Sequence, residues 1–234
     1  MFESCINLTS FNGDLSSLES QYRMFANSAL TSWDIDLPNL KGGGGMFYNC
    51  SNFTSFYSDL SSLIDGGCGL GSYFGMFENS GLSVFESSLK SLKSGYQMFA
   101  GCSNLTDESI AIIAGSINDI SGLDKNIDAN WTYTCFDNSQ TLNCTILTDY
   151  RGAINIGNRE LSSDATLYRN SVAILQEKGW NVYIGGSLVQ PQTRYGDTSY
   201  DCTAADASGW NSRVPTLKTV TTEMLGGIGI YFSG

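Results

Sequence analysis

The chain has 234 residues, and its 12 basic and 23 acidic side chains give a formal net charge of −11. This acidic balance argues against a nucleic-acid backbone or an anionic membrane as the main partner. The sequence contains no histidine, so the commonest general base, the usual member of a catalytic triad and the commonest zinc ligand are all missing. No run approaches the roughly 18 apolar residues of a membrane span, so membrane insertion is not expected.

A Met-Phe pair recurs five times in the first half of the chain, and similar residues follow each copy. The third copy, residues 46–56, reads Met-Phe-Tyr-Asn-Cys-Ser-Asn-Phe-Thr-Ser-Phe. The intervals between pairs are 22 or 23 residues, apart from one of 30, and the methionines are Met1, Met24, Met46, Met76 and Met98. Self-similarity at this period predicts a solenoid, in which each repeat is one coil and buries its apolar face only by stacking on its neighbours.

Each repeat is predicted to contain a tight turn followed by an extended stretch. The turn buries Met, Phe and the Cys or Ser that follows them, and the extended stretch carries one inward aromatic residue. These aromatic residues are Phe11, Trp33, Phe56 and Phe85. Residues 32–37 show the clearest alternation, which predicts that Trp33, Ile35 and Leu37 face inward while Ser32, Asp34 and Asp36 face solvent.

After Cys102 the pattern changes to that of a helix and strand module. A helix is predicted from Asp107, with a stop at Gly122. Its inward stripe is Ile110, Ile113, Ala114, Ile117 and Ile120. Residues 123–147 are predicted to be irregular, 153–157 to form a strand, 162–164 to cap a second helix that ends at Gly179, and 180–184 to form a further strand.

For the seven cysteines, buried free thiols are the preferred interpretation over a disulfide framework. Cys5, Cys50 and Cys102 occupy the same position in their repeats and are predicted to be buried and free. Cys135 and Cys144 are the one candidate pair for a disulfide.

The repeat of residues 45–56 resembles the BspA-like (Treponema-type) leucine-rich repeat, which runs from a Gly through a Phe turn to Cys-x-x-Leu-Thr-Ser and an aliphatic residue. The chain departs from this pattern by Met-Phe in place of Ala-Phe and by lacking Cys in two repeats. The resemblance implies an α/β solenoid: a leucine-rich-repeat arc of about five short repeats over residues 1–106, irregular terminal repeats with a helix-strand C-terminal cap over 107–186, and a small β-rich tail over 187–234. The tail is predicted to dock on the arc or to contact another subunit. Such arrays, in gut bacteria and their phages, imply binding or adhesion and not catalysis.

The outward positions beside the inward aromatic residues are the predicted ligand-binding row, because they line the concave strand ladder of such an arc. A protein or carbohydrate on a host surface is the predicted partner. The row consists of Ser10, Asn12, Ser32, Asp34, Ser55, Tyr57 and Glu86. The alternative for this row is an ordinary solvated strand face.

No cofactor or metal is predicted. Asp14, Asp36 and Asp59 recur across three repeats, and stacked carboxylates favour a cation site. The sequence lacks the Asp-x-Asp-x-Asp-Gly pattern of a calcium loop, however, and Asp commonly caps turns. Turn capping is therefore the preferred interpretation.

These features together predict a non-enzymatic attachment protein for host recognition. The favoured assignment is a phage virion component, such as a tail fibre, tail-tip or decoration protein. Residues 1–4 have neither a basic start nor an apolar core, so no signal peptide is expected. Met1 is already the repeat methionine, and an uncapped first repeat predicts either that this chain is part of a longer one or that other virion subunits cover its first face in an oligomer.

Two alternatives belong to different classes. A fragment of a secreted bacterial adhesin would lie outside the cell or on the cell surface. A carboxylate-pair glycosidase would need two carboxylates roughly 5–10 Å apart in a pocket, which a regular arc does not obviously offer.

Overall fold

In the computed structural model, the described residues are 1–67, 74–137, 140–161 and 165–194, with residues 135–137, 140 and 141 described by their backbone alone. They belong to one compact unit, Met1–Gly196. The strands are β1 (Ser32–Trp33), β2 (Ser55–Phe56), β3 (Val84–Phe85), β4 (Thr132–Asp137), β5 (Gln140–Thr145), β6 (Ala153–Asn155), β7 (Asn181–Ile184) and β8 (Ser187–Leu188). The helices are α1 (Asp107–Ser116) and α2 (Thr166–Glu177), and short 3-10 helices span Asp128–Trp131 and Thr148–Tyr150. Most of the tail predicted over 187–234, including its predicted β-rich segments, lies outside the described residues.

The phenylalanines of the Met-Phe pairs form a continuous column of stacked rings. Successive rings have centroids 5.3–5.9 Å apart and planes within 7° of each other. The column runs through Phe2, Phe25, Phe47, Phe77 and Phe99. Residues predicted to be equivalent from their spacing are therefore neighbours in space, and the rings after Phe2 are fully buried.

The inward aromatic residues of the extended stretches lie beside this column. Phe11 stacks on Trp33, and Phe56 stacks on Phe85, each with centroids 5.7 Å apart. Edge contacts join the two sets, as between Phe56 and Phe77 at 5.0 Å. Because stacked and edge-to-face arrangements both suit the ring quadrupole, these contacts add to the energy of burying the rings.

Parallel strand pairing runs along the same direction as the aromatic column. β1 pairs with β2 and β2 with β3, with two residue pairs in register each time. Parallel bridges continue on another side of the repeats, joining Ser20 to Gly42, Gly42 to Asp65 and Asp65 to Ser94. The backbone of a turn also donates hydrogen bonds to the turn of the next repeat, for example from Phe25 N to Met46 O at 3.0 Å and from Phe47 N to Met76 O at 2.8 Å. Neighbouring repeats thus satisfy the backbone groups that each repeat leaves open.

Each turn also contains a left-handed residue three positions after its methionine. The φ angles are +57° at Asn27, +56° at Asn49, +57° at Asn79 and +77° at Gly101, and Ser4 has +61° in the first repeat. Asn and Gly tolerate this conformation better than other residues, which explains why they recur at this position.

The alternation of Cys and Ser between successive repeats also has a structural explanation. Cys50 Sγ donates to Phe25 O at 3.2 Å and lies 3.4 Å from Ser28 Oγ of the preceding repeat. Cys102 repeats this arrangement with Phe77 O and Ser80 Oγ, at 3.1 and 3.4 Å. Because the thiol hydrogen goes to the carbonyl, the serine hydroxyl donates to the sulfur. One Ser and one Cys in adjacent repeats therefore satisfy each other inside the core.

The cysteine predictions have mixed outcomes. Cys50 and Cys102 are buried and free, as predicted, whereas Cys5 is free but only half-buried. Cys144 is disulfide-bonded. The side chain of its predicted partner, Cys135, lies outside the described residues, and the strand register places Cys135 opposite Leu142.

Helix α1 covers the far edge of β3. Its N-cap Thr106 accepts from Ser109 N, and Ser109 Oγ accepts from Phe85 N at 2.9 Å. The predicted stripe is buried from Ile110 to Ile120. The helix ends at Ser116 and not at Gly122, because Ile117 is already extended and Asn118 N bonds to Leu89 O.

The remaining elements close the end of the repeats. Phe99 N donates to Asn155 O, and a parallel bridge joins Gly95 to Ile154, so β6 follows the fifth turn in the ladder. β6 pairs with β7 in parallel, and β7 pairs with β8 antiparallel. The predicted domain boundary between residues 186 and 187 falls inside this last hairpin. The predicted capping residues 162–164 lie outside the described residues.

The prediction of irregular structure over 123–147 was wrong for Thr132–Asp137 and Gln140–Thr145. β4 and β5 form a regular antiparallel hairpin, with Tyr133 opposite Cys144. In register, Tyr133 and Cys144 share one face, and Thr134 and Asn143 share the other. The alternation extends over only a few residues in each strand, so it is a weak signal in the sequence.

Candidate functional site

Of the predicted ligand-binding row, Ser32 and Ser55 lie in β1 and β2, and Asp34, Tyr57 and Glu86 directly follow β1, β2 and β3. Ser10 and Asn12 lie in the first repeat, where no strand forms. We call this row, together with Val84 of β3, the ladder face. In register, Ser32 of β1 is opposite Ser55 of β2, which is opposite Val84 of β3. The ladder face comprises Ser10, Asn12, Ser32, Asp34, Ser55, Tyr57, Val84 and Glu86. All of these side chains are exposed except Ser55 and Val84, which are half-buried.

The positions after the buried aromatic residues form a second line across the repeats. Tyr57 N donates to Trp33 O and Glu86 N to Phe56 O, both at 2.9 Å. Asp34, Tyr57 and Glu86 therefore follow equivalent positions of neighbouring strands, which lie about 4.8 Å apart in a ladder. Tyr57, which is 49% exposed, occupies the position between Asp34 and Glu86 along this line. Ser10 and Asn12 flank Phe11 in the first repeat, where the ring of Phe11 stacks on Trp33.

The residues under this face are fixed by packing and by backbone hydrogen bonds. Trp33, Phe56 and Phe85 are buried directly behind it, and Trp33 Nε1 donates to Ile35 O at 2.7 Å. Thr54 Oγ1 donates to Thr31 O at 3.2 Å, and Ser83 Oγ donates to Thr54 O at 3.0 Å. These hydroxyls, which recur in the Leu-Thr-Ser pattern, bond to the preceding repeat and thus hold the strands in register.

The three recurrent aspartates act as caps of the backbone. Asp14 Oδ1 accepts from Ser16 N at 2.8 Å, and these bonds from Ser16, through its backbone and side chain, lower the pKa of Asp14. Asp36 Oδ1 accepts from Asp59 N at 3.1 Å, and Asp59 in turn accepts from Ser61 N at 2.8 Å. Among the described residues, no group of three or more Cys, Asp or Glu side chains is arranged to hold a metal ion.

The ladder face is suited to recognition by many small contacts. It offers hydroxyls, an amide, two carboxylates and one aromatic ring on a surface that the buried aromatic column keeps rigid. Such a mixture can bind the hydroxyls of a glycan or the polar side chains of a protein. The carboxylates of Asp34 and Glu86 also favour cationic groups on the partner.

Comparison with known proteins gave no relative: no protein-family model matches the chain, and no similar curated protein or solved structure was found. Within the part of the chain that the structure describes, no helix combines the length and apolar character needed to cross a bilayer. The functional assignment therefore depends on the repeats and surfaces of the chain itself.

Proposed function

We propose that residues 1–106 form a leucine-rich-repeat solenoid of the BspA-like type, and that the chain is a non-enzymatic attachment protein of a phage virion. In this proposal the ladder face binds a protein or carbohydrate on the host surface. The observation that carries the proposal is the line of exposed Asp34, Tyr57 and Glu86, each of which directly follows a buried aromatic residue at equivalent positions of neighbouring repeats. A rigid line of this kind loses little conformational entropy on binding.

Tyr57 is the expected anchor of the ladder face. Its ring offers a large contact area with few rotatable bonds, and its hydroxyl gives a hydrogen bond, which is why Tyr is frequent among residues that dominate binding energy. Asp34 and Glu86 on either side would add specificity more than affinity, because they remain hydrated at the rim of a contact.

The test measures binding of the full chain to host cells and to a glycan array. Tyr57→Ala is expected to weaken binding roughly 5–30-fold, corresponding to about 1–2 kcal/mol for an aromatic anchor. Tyr22→Ala is the matched control, because Tyr22 is 43% exposed and lies in the bend before the second Met-Phe turn, outside the ladder face. Equal binding by the wild-type chain and Tyr57→Ala would remove the ladder face as the binding surface.

The virion assignment has a separate test. Peptides of this chain are expected in mass spectra of purified phage particles, and antibodies are expected to label the particle. Labelling confined to the bacterial cell surface would contradict the virion assignment and favour an adhesin.

A further inference from the structure

A polar cavity of about 220 Å³ lies where the fifth Met-Phe turn meets the sheet of β6, β7 and β8. Its wall carries the amide side chains of Asn79, Gln97, Asn155 and Asn158 and the rings of Tyr96 and Tyr183. It is distinct from the ladder face and shares no residue with it. Among the described residues that line it, none carries a charge.

Two of the amides are held in place by the backbone. Asn158 Oδ1 accepts from Gly101 N, and Asn155 Oδ1 accepts from Gly157 N, each at 3.1 Å. Both bonds engage the oxygen of the amide, so the Nδ2 groups remain as donors for a ligand. Gly101 is suited to its place here, since a Cβ at this position would lie 2.2 Å from Asn79 Oδ1.

Gln97 lines the cavity and is half-buried. Its Oε1 atom is inaccessible to water and has no hydrogen-bond partner in the described part of the chain. The backbone of Gln97 is left-handed, with φ of +60°. Because a ligand in the cavity cannot touch Oε1, any hydrogen bond between Gln97 and a ligand comes from the Nε2 group.

The tyrosines provide an aromatic wall. Tyr96 and Tyr183 meet edge to face with centroids 5.9 Å apart, and Tyr96 stacks on Tyr150 at 4.3 Å. Aromatic faces pack against the C–H faces of sugar rings, while amide groups match their hydroxyls. The lack of charge in this wall disfavours phosphates, carboxylates and amines, which would be buried without a counter-ion.

We propose that this cavity binds one neutral sugar ring. Its volume is below the roughly 300–1,000 Å³ of pockets for drug-sized ligands, which fits a single ring and not an oligosaccharide. The amides of Asn155, Asn158 and Gln97 bind the ring hydroxyls, and Tyr183 contacts the ring. The cavity is independent of the ladder face, so either site can be correct without the other.

The experiment measures binding of free monosaccharides to the full chain by saturation-transfer NMR. The probes are glucose, galactose, mannose and N-acetylglucosamine, with glucuronate as the charged counterpart. We expect at least one neutral sugar to bind and glucuronate to bind at least tenfold more weakly. No binding by any of the four neutral sugars, or tighter binding of glucuronate, would overturn the proposal.

Two variants locate the site. Gln97→Gly removes the amide and is compatible with positive φ, and Tyr183→Leu removes the aromatic ring while keeping an apolar side chain in β7. Each is expected to weaken sugar binding about tenfold, whereas Tyr22→Ala, outside both the cavity and the ladder face, is expected to leave it unchanged. Unchanged binding in Tyr183→Leu, together with unchanged binding in Gln97→Gly if that variant folds, would overturn the assignment to this cavity. Loss of sugar binding in Tyr57→Ala with full binding by both cavity variants would place the sugar on the ladder face instead.

Discussion

At the scale of single residues, each repeat places side chains with the same structural role at the same position: they allow a backbone conformation or make a hydrogen bond in the core. Asn at the third position after Met allows the left-handed turn. At the fourth position, Cys donates to a buried carbonyl and Ser donates to the sulfur of the cysteine in the next repeat. Asn49 shows both the conformational and the bonding role, because its φ is +56° and its Nδ2 donates to Asn27 Oδ1 at 2.7 Å.

Asn49→Ala is expected to destabilise the chain by roughly 1–2 kcal/mol, since Cβ-bearing residues other than Asn and Asp are disfavoured in the left-handed region. Asn49→Gly keeps the backbone conformation and loses the exposed side-chain bond alone, so it is expected to be less harmful. Urea unfolding of both variants measures the difference. If Gly were as destabilising as Ala, the side-chain bond and not the backbone angle would explain this asparagine.

Cys102 is expected to make the free energy of unfolding depend on pH in the alkaline range. Burial raises the pKa of its thiol from 9.0 to about 11, because the buried thiolate cannot be solvated. The folded state therefore keeps a proton that the unfolded chain releases, and the contribution to stability is present below pH 9.0 and lost as the pH rises towards about 11.

We expect wild-type stability to fall by roughly 2–3 kcal/mol more than that of Cys102→Ser over this range, since one pKa unit corresponds to about 1.4 kcal/mol. Serine occupies the equivalent position in the second and fourth repeats and does not titrate there, so it is the matched control. Guanidinium unfolding at a series of pH values gives both curves. Parallel curves for the two proteins would contradict the burial of this thiol.

At the scale of elements, the helices are placed by specific contacts with the repeats and with each other. Lys178 follows α2 and closes the C-terminal end of α1, where its Nζ donates to Ala114 O, Gly115 O and Ile117 O at 2.8–3.2 Å. A cation at this end also complements the helix dipole. One side chain thus joins the two helices.

Lys178→Met retains the length and apolar stem of the side chain and removes these bonds. We expect a loss of about 1–2 kcal/mol, in line with hydrogen bonds from a charged donor. Lys90→Met is the control, because Lys90 is exposed. Thermal unfolding measures both, and equal changes in the two variants would mean that the capping bonds contribute nothing.

At the scale of the whole molecule, each repeat depends on the neighbours on its two sides. Leu8 N donates to Cys5 O and Phe53 N donates to Cys50 O, at 2.9 and 3.0 Å, in equivalent turns of the first and third repeats. Leu8 is half-buried, whereas Phe53 is fully buried. The amides of Leu8 and Phe53 therefore make equivalent local hydrogen bonds, and they differ in the number of repeats that pack beside them.

Amide hydrogen exchange at Leu8 is therefore expected to be at least about tenfold faster than at Phe53, after correction for intrinsic rates, because local opening is easier where stacking is one-sided. Site-resolved exchange measured by NMR at neutral pH gives the comparison. Equal protection would show that the repeats unfold as one cooperative unit, or that a second molecule covers the first repeat. Dilution distinguishes these two causes.

The sequence by itself determined the local features that recur at a fixed spacing. The equivalence of the five phenylalanines, the inward positions of Trp33, Phe56 and Phe85 and the outward ladder face all follow from residues close together in the chain. Only the tertiary structure decided the early end of α1, the β4–β5 hairpin and the cavity between Gln97 and Tyr183. The physical reason is that these features depend on where distant segments return to the repeats. The spacing of residues along the chain does not predict that Asn158 accepts a hydrogen bond from Gly101 or that Asn118 donates one to Leu89.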